Sequence, residues 1–412
     1  MTEASSKSLR PFFIIFTGQT ISLIGSRLVQ FSLVWWLTQQ TSSANVLAFA
    51  SIMAILPQAI LGPFAGVLVD RWNRKHVMLF ADTGIALVTV VLALLYASGM
   101  IQIWHIYALM FIRSLGGAFH WTSMQASTSL MVPREQIARV AGLNQSVSGI
   151  ASIVAPPMGA LLIEILPIQY VLGIDIVTAV FAIVPLLVIH VPQPPKQLSK
   201  AKTVLEDMRG GLNYVIEWKG LLIIMVMSLT INLLISPAFS LLPLLITGYF
   251  KGGALELAWI QSANGLGMIL GGLLLGIWGG FKSRVKTAFV ALVIAGFSIL
   301  SFSQTPPDIF PLAVVSIFIF GVTNSIANSS FFAALLTLVP PEVQGRVFTL
   351  AMAASTIAQP IGLAVAGPVS EILSIRSWFV IGGVAFIVMA LLSFSTPAVM
   401  KLEDTSPPEY RN

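Results

Sequence analysis

Cysteine is absent from this 412-residue chain. Its absence excludes disulfides, thiolate metal sites and cysteine nucleophiles. Charge is nearly as scarce: 9% of residues are Asp, Glu, Lys or Arg, against roughly 25% in an average soluble protein. A chain so poor in charge cannot cover a water-facing surface. The two or three soluble domains that the length alone would permit are therefore excluded. Histidine is limited to His76, His105, His120 and His190, scattered along the chain. There is no His-Glu-x-x-His and no Gly-x4-Gly-Lys-Ser/Thr phosphate loop, so no enzyme, metal site, cofactor or ATP-driven pump is expected. No cleavable signal peptide is expected either, because the apolar run from Phe12 to Leu37 is too long for one.

Apolar runs are what the chain has in abundance, with 56% of residues hydrophobic. Runs of about 20 residues, the length a bilayer requires, occur at 11–38, 46–69, 77–97, 103–127, 138–166, 170–191, 219–247, 255–279, 285–303, 309–336, 344–372 and 376–397. The expected fold class is therefore an all-α polytopic membrane protein with twelve transmembrane helices. An even number puts both termini on one side. The net charge of +6 would raise nucleic acid as a partner in a soluble protein; here topology accounts for the cations, and no nucleic acid is expected. Eighteen Lys and Arg fall in loops and tails on the side of the N-terminus, and only Lys251 and Arg376 on the other. That asymmetry predicts cytoplasmic termini.

The chain divides at its one long loop. Pro192, Pro194 and Pro195 stop the sixth span. Beyond them Val204, Leu205, Met208, Leu212, Val215 and Ile216 recur at helical spacing, which predicts an amphipathic surface helix over 203–218. The expected organisation is a six-helix bundle over 1–195, a linker over 196–218 and a second bundle with a tail over 219–412. The halves repeat: 207 residues separate Pro133 from Pro340, Glu135 from Glu342, Arg139 from Arg346, and Glu164 from Glu371. Two repeated six-helix halves are a transporter plan, with substrate bound between them near the midplane.

One hinge stands out, Gly66-Val67-Leu68-Val69-Asp70-Arg71-Trp72-Asn73-Arg74-Lys75. Its Gly-x3-Asp-Arg-x2-Arg-Lys order resembles the loop between helices 2 and 3 of the major facilitator superfamily. Arg113 followed by Gly116 and Gly117 in the fourth span, Ala155-Pro156-Pro157-Met158-Gly159-Ala160 in the fifth, and Gly18-Gln19 with Ser22 to Ser26 in the first extend the likeness. Together these motifs are similar to the macrolide-efflux proteins of the drug:proton antiporter branch. The resemblance implies a multi-pass bacterial inner-membrane protein. It would export hydrophobic drugs in exchange for protons, with a small-molecule substrate, protons and lipid as its partners and a monomer as its unit. Arg27 departs from that family pattern. Alternative readings are export of a native metabolite such as a siderophore, or lipid flipping on the same fold.

Candidate residues follow from depth and polarity. Arg27, Asp82, Arg113, His120 and Asp175 lie inside spans, where each charge costs roughly 2.5–3.5 kcal/mol and requires a partner or a wet cavity. Asp82, Arg113, Asp175 and His120 are the candidates for proton coupling. About a turn centred near residue 101, Asp82 and His120 lie at equal depth. Asp175 is level enough to meet either Arg113 or Arg27. For the conformational switch the candidates are Gly66, placed where a helix would approach a neighbour closely, the charges Asp70, Arg71, Arg74 and Lys75, Arg346 at the start of span 11, and Pro156 with Gly159. Gln19, Ser22, Ser26 and Gln30 form a polar stripe on span 1 and, with Arg27 and Phe31, are candidates for substrate. In the second half Asn232, Phe239, Asn324, Asn328 and Phe331 are added, because an amide in lipid requires a partner.

Overall fold

The computed structural model describes residues 9–193 and 204–404. Among these residues all regular structure is helical. The helices are α1 (Arg10–Thr41), α2 (Ala44–Arg71), α3 (Arg74–Ala97), α4 (Ile103–Met131), α5 (Ile137–Ile165), α6 (Ile168–Val188), α7 (Val204–Glu217), α8 (Lys219–Ser240), α9 (Leu242–Gly248), α10 (Ala254–Trp278), α11 (Arg284–Gln304), α12 (Phe310–Leu338), α13 (Pro341–Ile372), α14 (Ile375–Ser395) and α15 (Pro397–Met400). Each apolar run becomes one long helix to within a few residues, except that the seventh breaks into α8 and α9 just after Pro237. Eleven of the long helices are apolar enough to cross a membrane. The twelfth, α4, has the length but carries Arg113, His120 and a series of hydroxyls.

Two compact units form. Unit 1 holds the described chain up to Trp36 and from Met53 to the end of the first described stretch; unit 2 holds Leu37–Ile52 and the described chain from α7 onward. The segment 37–52 is thus covalently part of α1 and α2 but joined by contacts to unit 2. There Asn45 Nδ2 donates to Glu371 Oε1 at 2.5 Å, and the hydroxyls of Ser51 and Ser240 bond each other.

Helix ends are capped by the same device in both repeats. Asn73 Oδ1 accepts from His76 N at the start of α3, and Ser283 Oγ accepts from Lys286 N at the start of α11, which satisfies donors that a helix leaves open. Next to each cap an arginine reaches across. Arg74 Nη1 donates to Ala126 O at 2.8 Å, and Arg284 Nη1 donates to Ala333 O at 3.1 Å. Ala333 lies 207 residues beyond Ala126, the shift of the sequence repeat. Lys75 Nζ donates to Leu187 O at 3.0 Å in the last turn of α6, where a cation meets orphan carbonyls and the negative end of the helix dipole. The hinge cations Arg74 and Lys75 therefore hold helix carbonyls, and Arg71 is exposed. The Asp70 side chain lies outside the described residues.

Glycines set the close contacts between helices, as small residues do in membranes. A Cβ at Gly25 of α1 would stand 3.0 Å from Thr178 Cβ of α6, and one at Gly159 of α5 would stand 2.9 Å from Phe31 Cδ1 of α1. Gly66 does not belong to this set. Nothing among the described residues lies within 4 Å of a Cβ built there, and nearby Phe64 is exposed. The close approach expected of Gly66 is therefore not made by any described residue, although Ala65 and Val69 beside it are buried.

Helix α7 matches the predicted amphipathic segment, but its apolar face is divided. Tyr214 and Val215 are buried, as is Trp218 just past the helix end, while Leu212 and Ile216 are exposed. It docks on the start of α13, where Gly211 lies against the Arg346 backbone. Burial pushes the Tyr214 phenol up to about 12.

Candidate functional site

In unit 1 the deep polar residues converge from α1, α3, α4 and α6. Arg113 Nη1 meets Asp175 Oδ2 at 2.5 Å, with side-chain exposures of only 11% and 3%. Arg113 Nη2 also donates to Ser26 O at 3.1 Å, and Ser26 Oγ donates to Asp175 Oδ1 at 2.9 Å. The Thr89 hydroxyl, which donates to Ile85 O, lies 3.4 Å from Asp175 Oδ2. Cation and carboxylate are thus satisfied by each other and by neighbours, which a buried ion pair requires. Of the two arginines that depth left open, Arg113 is the partner of Asp175.

A second carboxylate lies beside this pair. Gln19 Nε2 donates to Asp82 Oδ2 at 2.9 Å, and His120 Nε2 approaches Asp82 Oδ1 at 3.5 Å. That approach lacks hydrogen-bond geometry, and His120 Nε2 is buried without another partner among the described residues. Asp82, Arg113 and His120 line one cavity of about 240 Å³ together with Gln19, Ser22 and Ser26 of α1. The arrangement is a buried ion pair with a carboxylate and an imidazole beside it on the wall of one cavity.

Arg27 points elsewhere. It donates to Ser148 O and to the Ser152 hydroxyl on α5. The small-residue stripe of α5 therefore solvates this cation as well as allowing close packing. Phe31 is buried beneath Gly159 and is a packing residue here. Pro156 lies buried in the same stretch of α5. Gln30 lies on α1 but does not line the unit 1 cavity.

Unit 2 has its own cavity, of about 360 Å³. All five second-half candidates line it: Asn232 and Phe239 from α8, and Asn324, Asn328 and Phe331 from α12. Asn264 of α10 joins them and was missed, although the amide-in-lipid argument applied to it equally. Thr89 and Asn144 in unit 1 were also missed. A hydroxyl or amide among apolar residues carries little signal until its neighbours are known. Arg346 packs along α7.

The comparisons with known proteins agree with this architecture. Residues 6–409 match the family described as transmembrane secretion effector. The chain is 31% identical over 393 residues to macrolide efflux protein A of Streptococcus pyogenes, covering 95% of this chain and 97% of that protein. A protein of the same name from Enterococcus faecalis is 32% identical over 322 residues, 78% of this chain and 99% of its own length. Among solved structures, a bacterial homologue of the iron transporter ferroportin superposes with a TM-score of 0.71 at 12% identity, over 96% of this chain and 99% of that one, and shares the fold.

Proposed function

The chain belongs to the transmembrane secretion effector family of the major facilitator superfamily and is a drug-efflux transporter of that kind, and from that premise we propose that it exports macrolide-like or other hydrophobic drugs in exchange for protons. Alternating access of two six-helix halves of a monomer, with both termini cytoplasmic, would carry the exchange. The observation that carries this reading is the buried Arg113–Asp175 pair beside Asp82 and His120. A structural ion pair alone would not require a second carboxylate and an imidazole lining the same cavity.

The chemistry of coupling follows from that geometry. Beside a cation a carboxylate releases its proton; without one, in a dry cavity, it takes a proton up. Asp175 is the group that would alternate between these conditions, as Arg113 joins it or leaves it for substrate or water. Asp82, with His120 and Gln19 around it, would relay protons. Asp70 acts in this reading as a conformational latch outside the substrate path. Asp70→Asn is expected to abolish efflux while drug binding in detergent persists; equal loss of both would contradict it.

The test of the overall reading is a resistance profile in a drug-sensitive bacterial host, followed by pH-driven uptake into inverted vesicles. Expression should raise tolerance to macrolides, and an imposed proton gradient should drive their accumulation. No shift for any macrolide, dye or cationic drug would overturn it.

A further inference from the structure

We infer that Arg27 receives the carboxylate of a hydrophobic substrate, so that amphipathic organic acids are one class of compound this protein takes. The inference rests on the export reading and names the chemistry that one deep cation would select.

Three observations carry it. First, Arg27 has no counter-charge. It forms no ion pair with the described residues and is held by the Ser148 carbonyl and the Ser152 hydroxyl. The deep acids of this half are committed elsewhere. Asp175 is bound to Arg113 and Ser26. Asp82 is bound to Gln19, which lies eight residues before Arg27 on α1, about two turns away. A carbonyl and a hydroxyl satisfy N–H donors but leave a buried charge uncompensated. For those two contacts alone a neutral amide would serve as well.

Second, half of the guanidinium is open. Both of its bonds are made through Nη1. Nε and Nη2 donate to no described residue, yet neither belongs to the enclosed, unpartnered atoms, so both are within reach of a solute. Together they form one edge of the fork, whose two N–H groups match the two oxygens of a carboxylate. A neutral carbonyl would bring an acceptor without the charge.

Third, this edge adjoins the cavity of unit 1. Ser26, the neighbour of Arg27, lines that cavity, as does Val147, the neighbour of Ser148. Phe16, Leu23 and Trp121 on the same wall offer apolar surface to the body of the substrate. The complementary ligand is therefore an apolar skeleton that ends in a carboxylate.

Equilibrium binding to the full-length protein in nanodiscs at neutral pH tests this with two tritiated probes. Fusidate is a steroidal carboxylate, and its methyl ester is neutral. Fusidate should bind about tenfold more tightly than the ester, a difference of about 1.4 kcal/mol. Arg27→Gln should bring fusidate down to the affinity of the ester, while the ester itself stays within about twofold. Arg27→Lys keeps the charge without the paired donors and should retain only about a threefold preference. Equal binding of acid and ester by the parent chain, or no binding of either, would overturn the inference. So would equal losses of both probes in Arg27→Gln, because Arg27 would then serve only to hold α1 on α5. If Arg27→Gln does not fold, Arg27→Lys decides, and an undiminished tenfold preference there would overturn the inference. Export is scored separately by the resistance profile. A protein that confers resistance yet shows no preference for the acid sinks this inference alone, whereas one that exports nothing sinks the export reading.

Discussion

Two arginines at similar depth live in opposite circumstances. Arg113 has a carboxylate at 2.5 Å, while Arg27 has the Ser148 carbonyl and the Ser152 hydroxyl and forms no ion pair with the described residues. Removing one member of a buried ion pair strands the other, at about 3–5 kcal/mol. Arg113→Gln is therefore expected to lower the thermal midpoint in detergent sharply. Arg27→Gln keeps a donor for Ser152 and removes an unpaired charge, so its midpoint should equal or exceed that of the parent chain. Thermal unfolding of the two variants side by side checks the contrast, and equal losses would refute it. Coupling belongs to the same scale. Asp175→Asn cannot release a proton, so it should lose pH-driven uptake into inverted vesicles yet retain drug exchange at zero proton gradient. If Asp175→Asn still accumulates drug while Asp82→Asn does not, the roles of the two acids are reversed.

At the scale of the element, α7 is where polarity and burial conflict. Tyr214 is 2% exposed, and its hydroxyl has no hydrogen-bond partner among the described residues. Burying such a hydroxyl costs about 1–3 kcal/mol. Tyr214→Phe should therefore stabilise the docking of α7 on α13 by about 1 kcal/mol. A raised thermal midpoint and slower proteolysis within 204–217 would show it; a lowered midpoint would mean that the phenol has a partner. The hinges teach a related lesson. Their cations pull helices together through carbonyls, Arg74 onto α4, Lys75 onto α6 and Arg284 onto α12. A basic loop of this kind thus serves packing as well as topology.

For the whole molecule the question is energetic. Export against a tenfold gradient requires about 1.4 kcal/mol, and one charge crossing 100 mV releases about 2.3 kcal/mol. One proton per drug suffices on those figures. A single exchanged proton also has a sign that can be measured. Export of a neutral drug then moves one positive charge, so a membrane potential alone should drive it. Export of a monocation is electroneutral and should respond only to the pH difference. Potentials clamped with valinomycin in proteoliposomes distinguish the cases. If a potential alone drives the monocation, more than one proton is exchanged.

The sequence by itself determined the number of the long helices, their bounds apart from the break in the seventh run, the amphipathic linker helix, the repeat at 207 residues and which polar groups lie within the spans. All of these are read along one coordinate. Hydropathy reports whether a segment can lie in lipid, and residue count converts directly into depth at about 1.5 Å per residue. Which way each group faces is a second coordinate, and it belongs to packing. Depth made Asp175 level with two arginines; only the approach of α4 and α6 decided for Arg113, and only the serines of α5 drew Arg27 aside. Depth marked Asn232, Asn324 and Asn328 as amides in need of partners. Only the assembly of α8, α10 and α12 placed them around one cavity and added Asn264. The same reason explains Gly66: a glycine in a helix permits close approach, but the position of a neighbouring helix decides whether one occurs.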